Sequence, residues 1–226
     1  MKSAIIDSRP YLMLSLLFGI SYYFVSDAQI PGTYLMLWKG AAVGFLAVYA
    51  FARLHRIDGK MLGIIMALGA LGDMVIEFDQ IFGAAVFIVG HIVAIIFYAR
   101  YRRHKLAFSQ KLFAILLVPI SALIAFAMPD DRSMALAGAA YCVFAAAMAA
   151  MAWTSRFPRY RVGVGAVMFV VSDLLIISRM GPLETSMVPD LLIWPLYYIG
   201  QFLIATGVVQ TLRHEMAAES ADPVPA

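Results

Sequence analysis

The chain has 226 residues, 63% of them hydrophobic and 14% charged, with a mean hydropathy of +0.85. Soluble proteins are about 45–50% apolar, and a single core of this size cannot hide the excess, so a soluble globular enzyme and a disordered chain are both excluded. The lone cysteine, Cys142, rules out a disulfide scaffold, and in a membrane chain a net charge of +3 marks loops rather than nucleic-acid binding.

An all-α integral membrane protein is therefore expected. About 20 mostly apolar residues cross a bilayer core of about 30 Å, and eight such stretches follow in order: 10–26, 34–54, 60–78, 81–101, 109–128, 133–153, 161–179 and 190–212. Connectors such as "AQIPGT", "RIDGK", "MPDDRS" and "RFPRYR" separate them. The runs are continuously apolar and do not alternate, which disfavours a β-barrel. The first follows Lys2 and Arg9 as a signal peptide would. However, "SYYFVSDAQ" lacks a convincing small-residue cleavage site, so a retained span is expected. Residues 1–212 then form one transmembrane domain, and 213–226 form a short polar tail expected to be disordered.

Fourteen of the seventeen basic residues fall on one side of this layout: Lys2, Arg9, Arg53, Arg56, Lys60, Arg100, Arg102, Arg103, Lys105, Lys111, Arg156, Arg159, Arg161 and Arg213. The other side holds Arg132 and Arg179 among Asp27, Asp79, Asp130, Asp131, Glu184 and Asp190. Cytoplasmic loops collect Lys and Arg, so both termini are expected in the cytoplasm and the protein in a bacterial-type inner membrane.

Spans three and four resemble spans seven and eight. "GIIMALGALGDMVIE" matches "GVGAVMFVVSDLLII", and "FIVGHIVAI" matches "YYIGQFLIA", which sets His91 opposite Gln201. Four spans separate the halves, so a parallel 4+4 repeat about the membrane normal is expected. At about 1.5 Å per residue, Asp73 and Asp173 reach a similar depth in the outer half of the bilayer, with His91 and Gln201 near its midplane.

Ionisable groups inside a membrane cost about 2.5–3.5 kcal/mol each on insertion scales and mark functional sites by default. Asp73 and Asp173 stand out, since two carboxylates on one cavity allow a neutral acid beside an ionised base. Lys39 could neutralise one of them, hold a phosphate, or snorkel to the interface. His91 suits proton transfer, with an interhelical hydrogen bond as the bland alternative. Glu77 follows Asp73 by one turn and is either catalytic or solvated. Ser172 has no "GxSxG" elbow and reads as packing. Tyr197, Tyr198 and Gln201 could orient a headgroup, or the tyrosines could anchor at the interface. Tyr141 lies deeper and needs a hydrogen-bond partner. Asp73, His91 and Asp173 could supply a metal site, but no paired-His motif accompanies them, so neither metal nor other cofactor is expected.

"LGD" with "FGAAVFIVGH", then "GAVMFVVSDLLI" and "YYIGQFLI", and "WKG" in the second span, resemble the YhhN family, which includes lysoplasmalogenases. The similarity extends over essentially the whole chain. One departure is Ala94, where the family commonly has a Tyr shortly after the His. The resemblance implies hydrolysis of the vinyl ether bond of lysoplasmalogen to a fatty aldehyde and a glycerophospho-alcohol. It carries the site onto Lys39, Asp73, His91, Ser172, Asp173, Tyr198 and Gln201. Asp73, Asp173 and His91 are then the catalytic candidates, and Lys39, Glu77, Tyr141, Ser172, Tyr198 and Gln201 the substrate-binding ones. The expected partners are a lysophospholipid substrate and membrane lipids, with no nucleic acid and no obligatory protein. Two rivals share the same polar features: a proton-coupled carrier of small molecules or lipids, and a hydrolase of another lysolipid.

Overall fold

The computed structural model describes residues 9–26 and 28–221. Lys2, Asp27 and the last five residues, which bear on the expected topology and tail, lie outside them. The described residues form eight α-helices: α1 (Arg9–Val25), α2 (Gly32–Arg53), α3 (Ile57–Val75), α4 (Gln80–Arg100), α5 (Phe108–Ala127), α6 (Arg132–Thr154), α7 (Val164–Ser178, preceded by a π-helical turn at Arg159–Gly163) and α8 (Met187–Ala221). Six of them are long and apolar enough to cross a bilayer: α2, α4, α5, α6, α7 with its π turn, and α8. α1 is shorter, and α3 carries Asp58, Lys60 and Asp73 within its 19 residues.

Helix starts follow local chemistry. The Asp79 carboxylate caps α4 by accepting from the Ile81 and Phe82 amides at 2.8 and 2.9 Å, and Asp131 caps α6 through the Ser133 amide at 2.8 Å. Each satisfies amides that a helix start leaves without a partner. The far end of α8 departs from expectation. Instead of stopping near residue 212 it continues through Ala221, and ion pairs of Glu215 with Arg156 (2.8 Å) and Glu219 with Arg56 (2.7 Å) tie the extension to two connectors.

Six helices close a ring in the order α2, α3, α4, α6, α7, α8, with α8 returning to α2. α1 packs outside α2 and reaches α8, while α5 packs outside α6 and reaches α7. The α7–α8 crossing is tight because a Cβ at either Gly165 or Gly200 would meet the other's carbonyl oxygen at 2.6 Å.

The ring has two chemically distinct ends. At one, the Arg103 amide donates to the Thr154 carbonyl and the Arg156 amide to the Tyr101 carbonyl, so the α4–α5 and α6–α7 connectors meet beside the C-terminal turns of α8. At the other, the Asp130 amide donates to the Met180 carbonyl and Arg179 pairs with Asp190. The basic connectors thus share one end, and the acidic Asp130, Asp131, Glu184 and Asp190 share the opposite one.

Candidate active site

A cavity of about 510 Å³ occupies the acidic half of the ring, the size range of small-molecule sites. Every ring helix contributes: Lys39 from α2, Asp73 from α3, Phe87 from α4, Tyr141 from α6, Ser172 and Asp173 from α7, Trp194 and Tyr197 from α8. Most of the remaining wall is Ile, Ala and Met. Toward the basic end the ring closes on a packed core that includes Met66, Phe97, Tyr98, Met148 and Phe169.

Asp73 and Asp173 are 3% and 6% exposed, and each is held by one tyrosine from a neighbouring or facing helix. Tyr197 donates its hydroxyl to Asp73 Oδ2 at 2.6 Å, and Tyr141 donates to Asp173 Oδ2 at 2.8 Å. A buried carboxylate needs such partners, because isolated burial of the charge is prohibitive. Behind Tyr197, the Gln201 amide lies 3.5 Å from its hydroxyl. Behind Tyr141, His91 Nε2 lies 3.4 Å from that hydroxyl. Each carboxylate therefore heads a short chain: Asp73–Tyr197–Gln201 and Asp173–Tyr141–His91.

The other sequence-derived residues divide. Lys39 reaches the cavity wall and pairs there with Glu77 at 2.6 Å. Glu77, 44% exposed, meets the cavity only through this lysine. Ser172 lines the cavity, but its hydroxyl donates to the Ile193 carbonyl at 2.9 Å, in the turn of α8 just before Pro195. That bond ties α7 to α8 and does not prepare a nucleophile.

Besides Glu77, three expected members do not line the large cavity. His91 and Gln201 border a separate cavity of about 20 Å³, with Phe87 as the wall shared by both. They are linked to the carboxylates through the tyrosine hydroxyls. Tyr198 turns the other way: its hydroxyl is 2.9 Å from Ser15 Oγ, and its ring stacks on Trp194 and fits over Gly19 of α1. Its neighbour Tyr197 takes the place expected for it. Trp194 is a wall residue outside the quoted motifs, and Phe87, which opens "FIVGHIVAI", is one that only the repeat could have pointed to, since it stands opposite Tyr197 there. Among the described residues, no three His, Cys, Asp or Glu side chains gather as a metal ion would require. His91 in particular is separated from Asp173 by the Tyr141 hydroxyl.

The YhhN family model matches residues 34–208, a range that includes every residue of both carboxylate chains. No curated protein and no solved structure matched the chain.

Proposed function

The chain belongs to the YhhN family, and from that premise we propose that it hydrolyses the vinyl ether bond of lysoplasmalogen at Asp73 and Asp173, releasing a fatty aldehyde and a glycerophospho-alcohol. The observation that carries this reading is the pair of buried carboxylates on one apolar-walled cavity, each fixed by a tyrosine hydroxyl.

An enol ether is opened by protonating its β-carbon, which leaves an oxocarbenium ion. A neutral carboxyl of the pair donates that proton, and the ionised one stabilises the cation and takes a proton as water adds to the carbon. The product is a hemiacetal. Its collapse returns the hemiacetal hydroxyl proton to the first carboxylate while the second carboxyl protonates the departing glycerol oxygen. Both groups are thereby reset, and one water has been consumed. Tyr141 and Tyr197 position the reacting oxygens, with His91 and Gln201 fixing the tyrosines in turn. Lys39, held by Glu77 beside the cavity, is suited to a lipid phosphate. The water-poor wall strengthens each of these electrostatic interactions.

In this reading all eight helices span the membrane as a 4+4 repeat, the basic end faces the cytoplasm, and the chamber faces the other side. The neighbour order supports the repeat, since α4 meets α6 as α8 meets α2. The packed core below the chamber favours an enzyme over a carrier, which needs access from both faces. Incubating purified protein with a panel of lysolipids and identifying the products by mass tests the proposal. Aldehyde from the vinyl ether lipid is expected. Cleavage only of ester, amide or phosphodiester lipids would identify a different hydrolase, and flux into liposomes without any product would identify a carrier.

A further inference from the structure

The chamber is too small to enclose a long-chain amphiphile whole, since about 510 Å³ suits a drug-sized ligand. The hydrocarbon chain must leave it somewhere. The ring offers two seams between its halves, and they are unequal.

The α8–α2 seam is covered by α1. Ser15 donates to the Ala42 carbonyl at 2.7 Å and meets the Tyr198 hydroxyl, and Trp194 Nε1 donates to the Gly19 carbonyl at 2.8 Å. The Tyr22 ring lies 4.4 Å from that of Trp194. By chain order α5 should cover the α4–α6 seam in the same way. It does not. Its Ala125, with Met128 just past its end, packs with Cys142 of α6 and with Leu174 and Ile177 of α7, and it makes no close backbone approach to α4.

Along the α4–α6 seam itself the two halves differ. Toward the basic end, Ala94 and Phe97 of α4 and Ala145 and Ala149 of α6 are buried in the common core. Toward the acidic end, Ala85 of α4 and Ala137 and Ala140 of α6 line the chamber and are at the same time exposed. Gln80, Ile81 and Met134 at the starts of the same two helices also line the chamber and are exposed, so the exposed wall runs from the acidic mouth down this seam to Ala140. From the packing of α5 away from this seam and the exposed wall, we infer that the substrate's hydrocarbon chain leaves the chamber between the outer halves of α4 and α6, over a sill made by Ala85 and Ala137. The inference rests on the chamber being the substrate site, and it is independent of which bond is cut.

The test uses the full chain in nanodiscs with an ether-linked lysophosphatidylcholine that carries a diazirine near its chain end and has no vinyl ether to cleave. After irradiation, cross-links are expected within 81–88 and 134–140. Ala137→Trp or Ala85→Trp should each lower them about tenfold, a penalty of the order of one lost apolar docking contact. Leu136→Trp, which adds the same bulk to a side chain 66% exposed on α6 and outside the chamber wall, should leave them unchanged. Labelling spread evenly over the lipid-facing helices, labelling concentrated on α1 and α8, or labelling unaffected by both sill variants would overturn the inference. The uncleavable probe keeps the two readings apart. Cross-links at the seam in a protein that releases no aldehyde would retain the seam and discard vinyl ether hydrolysis, and aldehyde release with labelling elsewhere would do the reverse.

Discussion

Two tyrosine hydroxyls fix one oxygen of each carboxylate, Tyr197 on Asp73 and Tyr141 on Asp173, leaving the second oxygen of each for other partners. Hydrogen bonds to charged groups contribute about 1.5–3 kcal/mol. Tyr141→Phe and Tyr197→Phe are accordingly expected to lower the rate of aldehyde release by about 10- to 100-fold. Tyr198→Phe, which removes only a bond to Ser15, should leave that rate within about twofold while lowering the melting temperature in detergent. Steady-state kinetics on the three variants checks the contrast. The aspartates were legible in the sequence because a carboxylate inside an apolar span is too costly to insert without a role. The choice between Tyr197 and Tyr198 was not. Both stand at helical spacing from Trp194 and Gln201, and what separates them is Ser15 and Gly19 on α1, more than 170 residues away in the chain. His91 was legible as a buried polar group at the right depth. That it serves Tyr141 from behind, outside the chamber, depends on how α4 is rotated about its axis against α6.

At the scale of elements, apolar runs and their Gly, Pro and Asp punctuation located all eight helices to within about three residues at most ends. The exception is the C-terminal end of α8, whose polar sequence gives no apolar period. Its order comes from Arg56 and Arg156 on distant connectors, a tertiary cause that local composition does not carry. The α7–α8 contact is where a single residue can displace an element. Gly200→Val would drive its Cβ into the Gly165 carbonyl, and overpacking of this kind costs about 1–3 kcal/mol. A lower melting temperature is expected, together with a loss of activity that exceeds the loss of folded protein, because Asp173 lies on α7 and Tyr197 on α8. Thermal unfolding followed alongside activity at a temperature where the variant remains folded measures both. The sequence repeat pointed to equivalent halves, but the covering helices are not equivalent: α1 covers its seam, while α5 packs on α6 and α7 and makes no close backbone approach to α4. That difference arises from packing around Ala125, Cys142 and Ile177, which a comparison of motifs does not reach.

For the whole molecule, charge and connectivity agree. The connectors rich in Lys and Arg meet at one end of the ring and the chamber lies in the other half, so the orientation expected from the positive-inside tendency is one with the chamber facing away from the cytoplasm. Cys142 is fully buried and gives little background for thiol labelling. A cysteine introduced as Ser186→Cys at the chamber end should react with an impermeant maleimide in intact cells. One introduced as Ser220→Cys should react only after permeabilisation, and the opposite pattern would invert the orientation. In the proposed reaction Asp73 and Asp173 carry out vinyl ether hydrolysis together. The most direct measurement is aldehyde release from lysoplasmalogen by purified wild-type protein and by the Asp73→Asn and Asp173→Asn variants, each shown to be folded by its thermal transition. Release by the wild type is expected, with a loss of at least about 100-fold in either variant, the scale of a removed general acid or base. Full activity in both variants would contradict it.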